Sequence, residues 1–145
     1  MARTAGHTPD TPQCLFSYSI DATNRLLLAK LSGSVRASDI ASALCAVYKD
    51  PNWKRGFDTV WDCTGIRELL FDRRDLPRLV GVQSELAAKS GQGREILIVS
   101  RPVDRMMAKM YAFMMRGQTR SVTVCESKSV ATQALGRSFD SMSPG

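Results

Sequence analysis

The apolar residues of this chain keep changing period, from the two-residue repeat of a strand to helical spacing and back, and no other feature limits the fold as much. In LFSYSID, residues 15–21, Phe16, Tyr18 and Ile20 alternate with Leu15, Ser17 and Ser19, the pattern of a strand with one buried face. A turn around Asn24 leads into RLLLAKLSG (25–33), which is more continuously apolar and closes at Gly33. The two segments predict a hairpin. From 38 to 50, Ile40, Leu44, Val47 and Tyr48 fall at helical spacing, with Ala41 and Cys45 filling the same face. Pro51 stops this helix, because proline disfavours helical geometry in the residue before it.

FDTVWDC (57–63) reads as the next strand, running into an Asp-rich turn. A helix follows over 76–89, with Asp75 as its expected cap and Pro77 in its first turn, where proline is tolerated. SGQG closes that helix, and REILIVS (94–100) is a nearly all-apolar strand of the kind covered on both faces. Ser100 is the expected cap of a further helix that carries Pro102 in its first turn and runs to Arg116 before Gly117. SVTVC (121–125) is a last strand, and a short helix over 129–135 finishes at Gly136. Strands alternating with helices after a hairpin predict an α/β fold: a single mixed or mainly parallel sheet of about five strands with about four helices, in the order βαβαβα after the opening hairpin. A length of 145 residues with 43% hydrophobic content suits one core. The expected domain spans 14–137, with a mobile segment at 1–13 and a mobile tail at 138–145.

Composition narrows the function classes. The net charge of +6 is spread over most elements rather than gathered into a patch, which disfavours a nucleic-acid partner. Cys14, Cys45, Cys63 and Cys125 are far apart, with no CxxC and no histidine pair, so a zinc site is not expected. Reduced cysteines in a cytoplasmic protein are the simpler reading. No apolar run is long enough for a membrane span, and MARTAGHTPDTPQ has no apolar stretch of the signal-peptide kind. The only histidine, His7, lies in the expected mobile segment, which argues against a triad or a histidine metal site. Gly91 and Gly93 precede a strand instead of following one into a helix, so they make no dinucleotide loop. Asp62, Glu68, Asp72 and Asp75 cluster around the turn, but caps and solvated loop charges explain them more simply than general acid and base work. No enzyme, cofactor or metal is expected.

The segments YSIDATNRLLLAKLSGSV, GFDTVWDCTGI and REILIVSRPVDRMMAKMYAFM, with helices between them, resemble the SpoIIAA-like branch of the STAS superfamily over about residues 15–137. The resemblance implies a small bacterial α/β domain, mostly of unassigned activity in that branch. Anti-sigma factor antagonists of the superfamily carry a phosphorylatable serine in an Asp-Ser-Ser-Gly-like turn. Here the strand-ending Asp62 fits, but the turn reads Asp72, Arg73, Arg74, Asp75, with arginine where the acceptor serine would stand, and Thr64 precedes the expected position. The implied module therefore lacks the phosphoacceptor. Arg67, Arg73, Arg74 and Arg78 around a helix N-terminus offer a surface to an acidic partner or an anionic ligand, solvated arginines being the plainer alternative.

The segment VDRMMAKMYAFMMRGQTR (103–120) holds five of the seven methionines. Val103, Met106, Met107, Met110, Phe113 and Met114 make an apolar stripe that a core would use, and so would an adaptable binding surface. Two readings follow. The first is a non-enzymatic interaction module, self-associating as a homodimer or holding a protein partner through Asp62, Thr64, Arg67, Arg73 and Arg74 or through Met106, Met110 and Met114. The second is a binder of a small apolar or anionic amphiphilic ligand between the Met-rich helix and the sheet, with the arginines meeting a head group. The occasional grouping of the family with lipid-binding SEC14-like domains lends the second an analogy.

Overall fold

The computed structural model describes residues 13–143. The expected N-terminal segment, except Gln13, and the last two residues of the expected tail lie outside this range. Strands β1 (Cys14–Asp21) and β2 (Leu26–Val35) pair antiparallel from Cys14 opposite Gly33 to Asp21 opposite Leu26. Asp21 ties the turn together by accepting from the backbone N–H of Asn24 at 3.1 Å and from its side-chain amide at 2.6 Å. Gly33 is required by close approach as well as by its φ of 83°: a Cβ there would sit 2.4 Å from the carbonyl oxygen of Gln13.

Strands β3 (Asp58–Leu69), β4 (Gly93–Ile98) and β5 (Arg120–Cys125) extend the sheet in parallel, giving the order β1-β2-β3-β4-β5. Among the described residues the connections are made by α1 (Ala37–Tyr48), α2 (Leu76–Glu85), the short α3 (Ala87–Ser90) and α4 (Pro102–Met114), and α5 (Lys128–Leu135) follows the last strand. The architecture is therefore α/β with a mixed five-stranded sheet, as the alternating periods predict.

The two faces of the sheet are filled differently. In β2, Leu26 and Leu28 point to one side and Leu27, Ala29 and Leu31 to the other, so the strand is buried on both faces. On the first side Leu26, Leu28, Val60, Ile96 and Ile98 meet Ala131 and Leu135 of α5. This core continues past the expected boundary at residue 137, because Phe139 is buried in it and Met142 packs against it. Arg137 adds a tie by donating to Asp58 at 3.2 Å. On the second side lie α1, α2 and α4.

Three local expectations need correction. Strand β3 does not end at Cys63 but runs on to Leu69, because β2 is ten residues long and keeps offering it partners. Shifts in register after Lys30 and Gly33 absorb the irregularity, and Ser34 donates to Glu68 at 2.8 Å near the far end. At the next turn, Asp72 and Asp75 act as a reciprocal pair around a single 3-10 turn (Arg73–Asp75). Asp72 accepts from the Arg74 N–H, and the Asp75 carboxylate accepts from the Asp72 N–H, leaving Asp75 without a side-chain cap on α2. The residue at the cap position of α4 is Arg101 rather than Ser100, since Pro102 already occupies the first helical position.

Candidate ligand cavity

Between the sheet and helices α1, α2 and α4 lies a cavity of about 100 Å³ with almost wholly apolar walls. The two-residue period of the strands decides what reaches it. Trp61 and Cys63 of β3 and Glu95 and Leu97 of β4 share the face that lines the cavity, whereas Ile96 and Ile98 belong to the α5 core. Leu79 of α2 and Met107, Ala108 and Tyr111 of α4 close it from above.

Glu95 is the unusual member of this lining. It is 2% exposed and leads directly into the apolar run Ile96, Leu97 and Ile98 of β4. Its carboxylate accepts from the Tyr48 hydroxyl at 3.2 Å, from the Gln83 amide at 3.1 and 3.2 Å, and from the Tyr111 hydroxyl at 3.5 Å. The Gln83 amide also donates to the Tyr111 oxygen at 2.7 Å. Burial pushes the Glu95 carboxyl above its ordinary range, opposed by the charge of Arg120 and by the hydrogen bonds from Gln83, Tyr48 and Tyr111. Burial first and Glu95 second hold both tyrosine hydroxyls well above theirs. Such a network is costly to keep dry unless its members satisfy one another, yet Gln83 Oε1 has no protein partner among the described residues, and neither does Nε1 of the cavity-lining Trp61.

Arg120 is 1% exposed and lies over the rings of Tyr48 and Trp53, at 5.7 and 5.4 Å. Its terminal nitrogens donate to the carbonyl oxygens of Phe57, Arg94, Ser90 and Gly91, which locks the β4–β5 end of the sheet to the α3–β4 turn. At the other end of the cavity Asp104, in the first turn of α4, accepts from Arg101 Nε and Nη2, both at 2.9 Å. Arg101 also donates to the Arg67 carbonyl, so a single side chain fastens α4 to the end of β3. The Cys63 thiol is pushed up to about 12, by burial first and then by Asp62, Asp104 and Glu95. A thiol held neutral in this way is a poor nucleophile.

The residues singled out from the sequence are placed elsewhere. Asp62 accepts from the Thr64 N–H at 3.0 Å and its hydroxyl at 2.6 Å, a local tie within β3. Arg67, Arg73 and Arg74 are exposed, and Arg74 pairs with Asp72 at 2.8 Å. No arginine or lysine lines the cavity, so the geometry does not join these arginines to it. Met106 and Met110 meet in a shallow surface depression with Pro102, Arg105 and Lys109, outside the cavity lining, while Met110 and Met114 are half-buried against the core of Leu79, Met107 and Tyr111. Sequence reasoning passed over Glu95, Gln83, Tyr48 and Tyr111. The available signal was local: one acid inside REILIVS, and one amide inside the apolar stripe of α2.

Among the described residues no cluster of three or more His, Cys, Asp or Glu side chains is placed to hold a metal, and no helix is long and apolar enough to cross a membrane. No protein-family model matches the sequence, and no curated protein matches it. A solved structure does: an uncharacterized protein from the DUF3478 family with a SpoIIAA-like fold, from Shewanella loihica PV-4. The two align with a TM-score of 0.54 over 90% of this chain and 99% of that one, at 14% identity. The fold of this chain is SpoIIAA-like, in agreement with the resemblance read from its segments.

Proposed function

We propose that this protein is a non-enzymatic regulatory module that takes a small apolar molecule into the cavity between α4 and the sheet. The observation that carries this reading is the cavity itself, about 100 Å³ walled by apolar side chains. Interiors of small domains normally pack without such spaces, so a guest here gains apolar contacts that the lining otherwise lacks. The neutral Cys63 thiol and the hydrogen-bonded Glu95 supply no nucleophile and base pair, which supports binding over catalysis. The four cysteines are free, which supports a reducing, cytoplasmic setting.

The test is a titration with xenon under pressure, an apolar probe small enough for this volume, followed by backbone amide chemical shifts. Shifts centred on Trp61, Leu79, Leu97 and Ala108, saturating in the millimolar range or below and abolished by Ala108→Leu, are expected. A wild-type protein that shows no saturable shifts at these residues overturns the reading.

A second reading has its own observation. Val103, Met106 and Phe113 on the outer side of α4 are 50%, 56% and 67% exposed, an apolar stripe that suits an interaction module. Native mass spectrometry decides whether it joins two copies. A mass twice the 16.0 kDa of the chain that reverts to one on Met106→Asp supports self-association, and a wild-type monomer sinks it.

A further inference from the structure

We infer that the outer edge of β5 docks an extended acidic segment of a partner protein, which adds a further strand to the sheet and lays its carboxylates along Arg105, Lys109 and Arg116. The inference stands on the sheet edge and is independent of the cavity.

The sheet order ends at β5. Its six residues pair with β4 from Arg120 opposite Gly93 to Cys125 opposite Ile98, and no strand lies on its other side among the described residues. Alternate residues of such a strand turn their N–H and C=O groups outward, which makes the edge a template for main-chain pairing. Edges that must stay unpaired are blunted by proline, a bulge or a charge on the strand. Ser121, Val122, Thr123 and Val124 supply neither proline nor charge, and the pairing with β4 keeps one register throughout. Arg120, the charged residue of β5, is 1% exposed and spends its terminal nitrogens on backbone carbonyls inside the protein. Val122 and Val124 share the face of their β4 partners Glu95 and Leu97, the side of α4, whereas Ser121 and Thr123 are exposed on the opposite face.

Charge decides what fits this edge. Arg105 pairs at 3.6 Å with Glu126, the residue that follows β5, so this side of α4 looks onto the edge strand. Lys109 stands one helical turn further along the same side and is exposed, and Arg116 is exposed in the turn that leads into β5. The row therefore runs from the end of the strand to its start. Glu126 is the acid within it, while Asp104 is buried and held by Arg101. A second copy joined edge to edge about a two-fold axis would set this row against itself, cation facing cation. An acidic strand meets the opposite situation: its main chain pairs with β5, and carboxylates recurring on one side about every 6.7 Å lie beside the row. The same cations thus reject a like copy and admit an acidic segment.

The experiment adds two capped peptides of about seven residues, long enough to span β5, to the full chain. One alternates glutamate with threonine and the other lysine with threonine. Amide chemical shifts report binding, and amide hydrogen exchange reports main-chain pairing. The glutamate peptide is expected to bind at least about tenfold more tightly than the lysine peptide and to slow exchange at alternate amides between Ser121 and Cys125. The double variant Lys109→Glu, Arg116→Glu, at two exposed positions, is expected to reverse the preference. The inference is overturned if the two peptides bind alike, if the glutamate peptide binds without protecting these amides, if the preference survives the double variant, or if neither peptide binds. Protection of the same amides that grows with protein concentration in the absence of peptide would give the edge to a second copy and overturn it as well. The wild-type comparison decides the matter even where the double variant does not fold.

Discussion

The two faces of the sheet are built from the same strands to opposite specifications. Against α5, Leu26, Leu28, Ile96, Ile98, Leu135 and Phe139 make an apolar core. Against α1, α2 and α4, the alternate residues of the same strands enclose a space of about 100 Å³ and a polar group of Glu95, Gln83, Tyr48 and Tyr111. The first arrangement does what stability requires. The second keeps features that burial penalises, which the proposed ligand reading accounts for.

Cutting into the closed face should have the largest effect. Phe139→Ala is expected to cost about 3 to 5 kcal/mol, the usual range for removing a buried aromatic ring, read as a fall in the denaturant midpoint at unchanged slope. A loss under about 1 kcal/mol would mean that the chain beyond residue 137 contributes little to the core.

Adding volume to each face sharpens the contrast. Ala131, on the closed face, and Ala108, on the cavity wall, are both buried. Ala131→Leu should cost about 1 to 3 kcal/mol, as overpacking does, whereas Ala108→Leu should change stability by less than about 0.5 kcal/mol because the cavity receives the added carbons. Equal penalties in thermal unfolding would show that the two faces are packed alike.

The smallest expected effect is the response to pH. Because burial raises the Glu95 carboxyl, the folded state holds that proton more tightly than the unfolded chain does. The stabilisation from Glu95 is therefore complete below the ordinary glutamate range of about 4.3 and is lost as pH rises through the folded value. Wild-type melting temperature, corrected by the Glu95→Gln profile, should decline over that rise. Parallel profiles for the two proteins would remove Glu95 as a strained acid and leave the cavity face polar only in name.

Much of the closed face can be read directly from the chain. RLLLAKLSG and REILIVS are short apolar runs whose period alone places their residues on two buried sides, and Gly136 marks the end of α5. Boundaries were harder where partners decide them, as in β3, whose last residues are strand only because β2 continues beside them. The candidate site was harder still. Exposed arginines and a methionine-rich helix attract notice in a sequence, yet Arg73 and Arg74 face solvent, and α4 presents Met107 and Tyr111, rather than Met106, to the cavity.

The sequence by itself determined the alternation of strands and helices and the residues able to build two cores, since periodicity and punctuation act over a few neighbouring positions. Only the tertiary structure decided that Glu95 would meet Tyr48, Gln83 and Tyr111, which stand 47, 12 and 16 residues away, around a shared cavity. Contacts at such separations are set by how parallel strands and their crossover helices stack, and no local pattern carries that information.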